Sequence, residues 1–537
     1  MHSKTALALL ATIACPLVLG CSSSGSSGEP PVNSSGAALR RTQSCEDLTL
    51  SLREDARSKL NRRIDAEVRA IQEGYTNYGY RGGDFAIGPV PGVPTANVGA
   101  APGSAQGASD SAAEAAPAHS ETETQVKGVD EADIVKADGT KLYVLHGQKF
   151  LIVDAWPAAK LGVSGGIDIE GTPLEMFVAN GKAVIFSTTE GAPLYTAAGV
   201  SPRAAYSDRY GAPLYAGVAD VAPGYSGAAF IQNPLTKVTV LALDESNASV
   251  LRELYFEGNY LSSRRVASKV RLVLEGGAHG PTLDYYPVFS AQKSGTTGPS
   301  QAEQIAAWEA LRAKNLATID ATQYTDWVPV GFTKDAAGAH AGSMDCSDFY
   351  MPTAGSTEFG ITQIQAFDLD VPSEPPRAVA IVGAAETVYG NANSLVLAGR
   401  AYTDPWLLRQ SYAYGGPAVD GNGVAAPAIP VETLSHTHVH LFDVASDAFQ
   451  PKYVASGTVP GDVKDQFALD EKQGLVRVTT TEQRSGPPLA DGRQNTVSHV
   501  FVLKTARRAC RCWAMPGRLP PASSFTRRVT SATKRTW

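Results

Sequence analysis

Four apolar, strand-like runs in this chain end on aspartate: FLIVD at Asp154, VTVLALD at Asp244, ITQIQAFD at Asp368 and HVHLFD at Asp443. A glycine follows each, at Gly171, Gly258, Gly383 and Gly457, and the last three gaps are 14, 15 and 14 residues. Then comes another strand opening, at 177–186, 263–274, 388–397 and 467–478; the last of these, with 497–503, begins a fifth unit. The clearest copy lies in 125–157. There the runs 141–145 and 149–154 flank a turn at Gly147, and the turn dipeptide Asp138–Gly139 precedes the first. Short runs rich in Val, Ile, Leu, Tyr and Phe around a glycine turn form a β-hairpin. One such module cannot bury both faces of its sheet, so copies must stack side by side. The expected fold class is therefore all-β, an incomplete β-propeller of about five blade-like units. The aspartates read as turn caps that accept from nearby backbone N–H groups, with a metal or catalytic role as the alternative.

The units are unevenly spaced, which implies insertions at 195–234, 276–356 and 401–430 within a propeller spanning 124–506. The first and third are rich in Tyr, Gly and Ala or Pro. The second holds an expected helix over 301–317, with Ser300 and Glu303 placed as a capping box. Long insertions on a rigid β scaffold are where binding surface concentrates. A second helix is expected over 44–74. Leu48, Leu52, Ala56, Leu60, Ile64, Val68 and Ile71 make one apolar stripe, Ser44 caps it and Gly74 stops it. Such a stripe must pack on something. Residues 75–123 are Gly/Ala/Pro/Ser-rich without a period and read as a disordered linker.

The N-terminus reads as an address. One Lys and the apolar run 6–19 form a secretory signal over 1–20 that is too short to span a membrane. It ends LVLGC, which resembles the bacterial lipobox. That resemblance implies lipidation of Cys21, with 21–43 as a tether, and a membrane partner through that anchor. Ser22 in place of Asp favours the outer membrane of a Gram-negative envelope. An ordinary signal with an incidental cysteine is the other reading. Cys510 and Cys512 lie in an unusual tail, so Cys45 and Cys346 are left in the body. In an oxidising compartment they are expected to pair, free thiols being the alternative.

Charge narrows the partners. Net charge is −7, but 507–537 carries eight Lys or Arg and no Asp or Glu, leaving 38 basic against 53 acidic residues elsewhere, a net of −15. An acidic body argues against nucleic acid.

Four stretches carry a family resemblance: QVKGVDEADIVKADGTKLYVLHGQKFLIVDAWP (125–157), YLSSRRVASKVRLVLE (260–275), MDCSDFYMPT (344–353) and YVASGTVPGDVKDQFALDEKQGLVRVTTT (453–481). Together they resemble a bacterial family of secreted proteins with a C-terminal β-propeller distantly related to WD40 repeats. The likeness spans roughly 44–504. It implies a propeller outside the cytoplasm and transfers no catalytic residue. The departure is 507–537, where strand alternation stops and Arg rises. That is expected of out-of-frame translation or truncation, a genuine basic tail being the competing reading. Loss of the last blades would leave the ring open.

Few constellations suggest chemistry. The letters DEAD at 130–133 come without a P-loop or EF-hand spacing, so a solvated turn is expected there. His436, His438 and His440 alternate onto one strand face. They are either a metal cluster or, if Thr437 and Val439 form the buried side, a wet face. No GxSxG elbow and no dinucleotide loop occur. No cofactor is expected. The expected function is a binding scaffold at the envelope for a protein, peptide or glycan. The alternative is an extracytoplasmic hydrolase acting on peptide or polysaccharide, favoured if acidic residues with raised pKa cluster centrally.

Overall fold

The structure, a computed structural model, describes residues 37–74, 124–201, 234–404, 435–483, 496–506 and 524–528, apart from 277, 285, 288–298 and 336. The expected signal, Cys21, the linker 75–123 and most of the insertions at 195–234 and 401–430 lie outside the described residues. So does the tail 507–537 apart from 524–528.

Two short strands, β1 (Arg40–Arg41) and β2 (Asp130–Glu131), and the helix α1 (Cys45–Gln72) precede the repeats. Blade 1 is β3 (Val135–Asp138), β4 (Lys141–His146), β5 (Lys149–Asp154) and β6 (Gly162–Asp168). Blade 2 is β7 (Thr172–Ala179), β8 (Lys182–Glu190), β9 (Pro234–Asp244) and β10 (Asn247–Glu257), with α2 (Ala192–Ala197) after β8. Blade 3 begins with β11 (Asn259–Val266) and β12 (Lys269–Glu275). It is interrupted by α3 (Gln301–Asp320), β13 (Val330–Asp335), β14 (Gly338–Ser343) and β15 (Phe349–Met351), and finishes with β16 (Ile361–Asp368) and β17 (Arg377–Val382). Blade 4 is β18 (Ala385–Gly390), β19 (Ser394–Arg400), β20 (His436–Asp443) and β21 (Lys452–Pro460). Blade 5 is β22 (Leu469–Lys472), β23 (Leu475–Gln483), β24 (Thr496–Ala506) and β25 (Ser524–Arg528). Within every blade the four strands pair antiparallel in sequence order. The fold is the expected β-propeller of five blade units, and it is not closed.

Apolar burial explains the radial stacking, because each pair of neighbouring blades shares its own core. Phe150 and Ile152 of blade 1 meet Met176 and Ile185 of blade 2. Phe186 and Val238 of blade 2 meet Val270 and Leu272 of blade 3. Ile364 and Val379 meet Leu395 and Phe442 across blades 3 and 4, and Val439 and Leu441 meet Val476 and Val478 across blades 4 and 5. Each fully buried Val, Leu, Ile or Phe contributes about 1.5–3 kcal/mol relative to exposure. Among the described residues the two outermost faces have no such partner. Leu161 and Val163 of the blade 1 side, and Leu475 and Val500 of blade 5, are exposed.

A repeated clasp holds the last strand of a blade to its third. Thr236, Thr362 and Thr437, at the starts of β9, β16 and β20, donate to the carbonyls of Gly258, Gly383 and Gly461 at 2.8, 2.7 and 2.7 Å. These glycines make the crossing to the next blade. The junction expected at Gly457 is Gly461; Gly457 lies inside β21, opposite Val439, because β21 runs on to Pro460. Gly461 sits at φ +83, and a Cβ there would meet the Thr481 backbone at 2.8 Å, so glycine is required. The strand-end aspartates behave largely as read. Asp244, Asp368 and Asp443 accept backbone N–H groups in the following turn, while Asp154 pairs with Lys141.

The apolar stripe of α1 packs on α3 and on blade 3, with Leu48, Leu52 and Ile64 fully buried beside Trp327 and Phe349. Cys45 at its start is disulfide-bonded to Cys346, Cα to Cα 4.9 Å. The capping box of Ser300 and Glu303 starts α3, which runs to Asp320, three residues past the expected end. The same insertion covers sheet edges. β13 pairs with β10, and β15 pairs with β17 and receives β1. Covering an edge removes a template for unwanted pairing. Strand content in 276–356 was not expected, because GAHAGS carries no strand signal.

Candidate binding face

In an up-and-down blade, the connections from second to third strand all leave on one face. The long insertions occupy this position in four successive blades: 191–233, 276–360, 401–435 and 484–495. Between Asp130 and Ala506 every other connection has eight residues or fewer. One face of the arc therefore carries the roots of all four insertions, and the opposite face carries only short connections.

The roots of these insertions are braced. The Tyr402 N–H donates to the Ser356 carbonyl at 2.9 Å, joining two insertions, and the Ala401 N–H donates to the His436 carbonyl at 2.8 Å. From α1, Asp55 accepts the Gly355 N–H at 2.7 Å, and Arg62 stacks over the Tyr402 ring at 4.9 Å. Tyr195, the first residue of the insertion expected over 195–234, is fully buried in α2 and donates to Glu257. His279 and the Val330 N–H also bind Glu257, each at 2.7 Å, which fixes the second insertion to blade 2.

Four buried polar atoms lack a hydrogen-bond partner among the described residues at this same place: Ser356 Oγ, Thr357 Oγ1, Arg400 Nε and Asp462 Oδ1. Arg400 Nε lies 3.4 Å from both Glu386 and Asp462, an ion pair without hydrogen-bond geometry. Leaving a buried polar atom unmatched costs about 1–3 kcal/mol, so such atoms gathered at one surface mark a place where a ligand group can complete them.

Two of the three histidines are dry, and His436 is half-buried. His438 and His440 are 4% and 6% exposed, and Thr437 and Val439 on the opposite face are buried too. A blade between two neighbours buries both faces of its sheet, so alternation along β20 does not separate an inside from an outside. His438 uses both ring nitrogens: Nδ1 is 2.9 Å from Thr458 Oγ1, and Nε2 is 2.9 Å from the Ser356 carbonyl, which can only accept. Nε2 therefore carries the proton, Nδ1 accepts, and no lone pair is left for a metal. His440 Nδ1 pairs with Ser456 Oγ at 2.7 Å. Burial lowers the pKa of His438 to about 4 and of His440 to about 3. Burial lowers His436 as well, and Glu482 opposes that shift. Among the described residues no group of three His, Cys, Asp or Glu is placed to hold a metal ion.

The acidic stretch at 130–133 is not a solvated turn either. It belongs to a strap that crosses the inner strands. Gln125 donates to the Gln466 carbonyl of the blade 5 side at 2.9 Å, β2 pairs with β11 of blade 3, and Asp133 bridges Met176 of blade 2. Asp130 binds Lys136 and Arg265 at 2.8 and 2.7 Å, and Glu131 lies 3.4 Å from Arg264. Beside the strap, Glu175 accepts from the Tyr260 hydroxyl at 2.5 Å. Burial raises the pKa of Glu175, and the charges of Asp133 and Glu131 raise it further, against that hydrogen bond and the Arg264 charge.

No curated protein matches the chain. The family model described as a beta propeller domain matches residues 119–510, most of the chain and all of its blades except β25. The chain belongs to the beta propeller domain family.

Proposed function

We propose that this protein is an envelope lipoprotein, anchored in the outer membrane through lipid on Cys21, whose insertion-bearing face binds a protein, peptide or glycan. The observation that carries this reading is that every long insertion leaves its blade on one face, two of them with roots pinned by α1. Pre-organised roots lower the ordering cost of binding, and the unmatched polar atoms at Ser356, Thr357, Arg400 and Asp462 supply specificity. The test replaces 405–434 and 202–233 with short Gly-Ser links and applies both forms to peptide and glycan arrays. Ligands held by the intact protein and lost by the shortened one support the reading; an unchanged binding pattern overturns it. The anchor is tested by Cys21→Ala, expected to release the protein from the membrane fraction.

One observation favours a second reading, a hydrolase of peptide or polysaccharide. Glu175, with its raised pKa, is suited to general-acid work beside Tyr260. Activity on a fluorogenic peptide or polysaccharide that Glu175→Gln abolishes would establish it.

A further inference from the structure

An open cleft of about 420 Å³ lies on the outer rim between blades 2 and 3, apart from the polar groups at the insertion roots. Its volume is within the range of small-molecule sites, about 300–1,000 Å³. One wall is the hairpin β13–β14. Gly331 and Gly342 are paired across this hairpin, so the wall is bare where side chains would otherwise stand. The floor is β16, whose Gln363 and Gln365 project to the same side and are each 3% exposed. These positions, five and three residues before the closing aspartate, are those of His438 and His440 in blade 4.

Both pairs are held largely by protein, and the blade 3 pair leaves one acceptor over. Gln363 Nε2 donates to the Glu257 carbonyl at 2.6 Å, and Gln365 Nε2 donates to Gln363 Oε1 at 3.2 Å. This fixes the Gln365 amide and leaves its Oε1 with no donor among the described residues. An amide carbonyl that faces a cavity of this size can accept a hydrogen bond from a group outside the chain.

The class of that group follows from charge. At the rim Asp348 pairs with Arg41 at 2.7 Å and Arg377 with Asp447 at 3.7 Å, while Asp345 accepts the Ser347 N–H at 2.8 Å and keeps its charge, which disfavours an anionic ligand. Inside the cleft the Gln365 amide and the Thr333 hydroxyl are uncharged, and His340, across from Thr333, stands on the glycines' face of the hairpin. Leu254, Pro329 and Pro375 supply an apolar wall suited to the C–H face of a sugar ring. We infer that the cleft binds a neutral saccharide unit, held by the Gln365 amide and packed between the bare β13–β14 wall and β16.

The test is saturation-transfer NMR on the full-length protein in a detergent without a sugar headgroup. The probes are maltotriose, cellotriose and triacetylchitotriose, with trigalacturonate as the anionic control. A Cβ at Gly342 meets nothing within 4 Å and the backbone there is not left-handed, so Gly342→Trp fills the cleft without disturbing the sheet. Transfer to at least one neutral trisaccharide is expected, reduced about tenfold by Gly342→Trp and about threefold or more by Gln365→Leu. The form with 405–434 and 202–233 shortened keeps this transfer, which separates the cleft from the insertion-bearing face. Absence of transfer to all three neutral sugars, equal transfer to trigalacturonate, or transfer that survives Gly342→Trp overturns the inference.

Discussion

His440 shows how burial decides the chemistry of a side chain. Its ring sits between blades 3 and 4 with its pKa lowered from 6.5 to about 3, and His438 follows at about 4. The folded state therefore holds both rings neutral, whereas the unfolded chain protonates them near pH 6.5. This contribution to stability is complete above about pH 6.5 and is lost as pH falls toward 4 and then 3. Protonating a ring inside the fold costs on the order of 3 kcal/mol for His438 and about 5 kcal/mol for His440. Thermal unfolding between pH 7 and pH 4 is expected to show a steeper loss for the native protein than for His440→Gln; parallel curves would contradict this assignment. The sequence showed that the three histidines share a face, but not which face is dry. That depends on having a blade on either side, which period-two alternation cannot report. The amide pair Gln363–Gln365 was equally hidden, since its cleft is completed by glycines more than twenty residues earlier in the chain.

Among elements, the hairpin β4–β5 was legible because Gly139 and Gly147 punctuate it and its apolar runs have strand length. Both long helices were legible from their stripe or their caps. β13 to β15 were not, because they are strands by virtue of the edges they cover rather than by composition. The threonine–glycine clasp also escaped, since its partners are 21 to 24 residues apart and meet only once the blade has formed. Thr437→Val leaves the Gly461 carbonyl unmatched and is expected to cost about 1–2 kcal/mol in urea unfolding, with Thr236→Val similar. No change in the midpoint would show that water replaces the hydroxyl. Cys45→Ser removes a link across 301 residues of sequence and is expected to cost about 2–4 kcal/mol. A midpoint indifferent to dithiothreitol would mean that α1 is held by its packing on α3 and blade 3 alone.

For the molecule as a whole, each interface between blades has a core, and among the described residues the two flanking faces have none. The strap through Gln125, Asp130, Glu131 and Asp133 ties blade 5 to blades 3 and 2 across the inner strands, so the arc keeps its curvature without closure. The aspartate-ended repeats made the radial arrangement legible; the strap was not, because an acidic stretch in isolation reads as solvated. The central claim is that blade 5 is sandwiched on one side only, and neighbouring rungs of its own sheet test it. Val478 is fully buried against blade 4, whereas Val500, paired with Thr479 on the adjoining strand, is 53% exposed toward the gap. The measurement is the unfolding free energy of Val478→Arg beside Val500→Arg. The account expects Val478→Arg to cost more than about 4 kcal/mol or to prevent folding, and Val500→Arg to stay within about 0.5 kcal/mol of the native protein. A Val500→Arg protein as damaged as Val478→Arg would contradict the open arc.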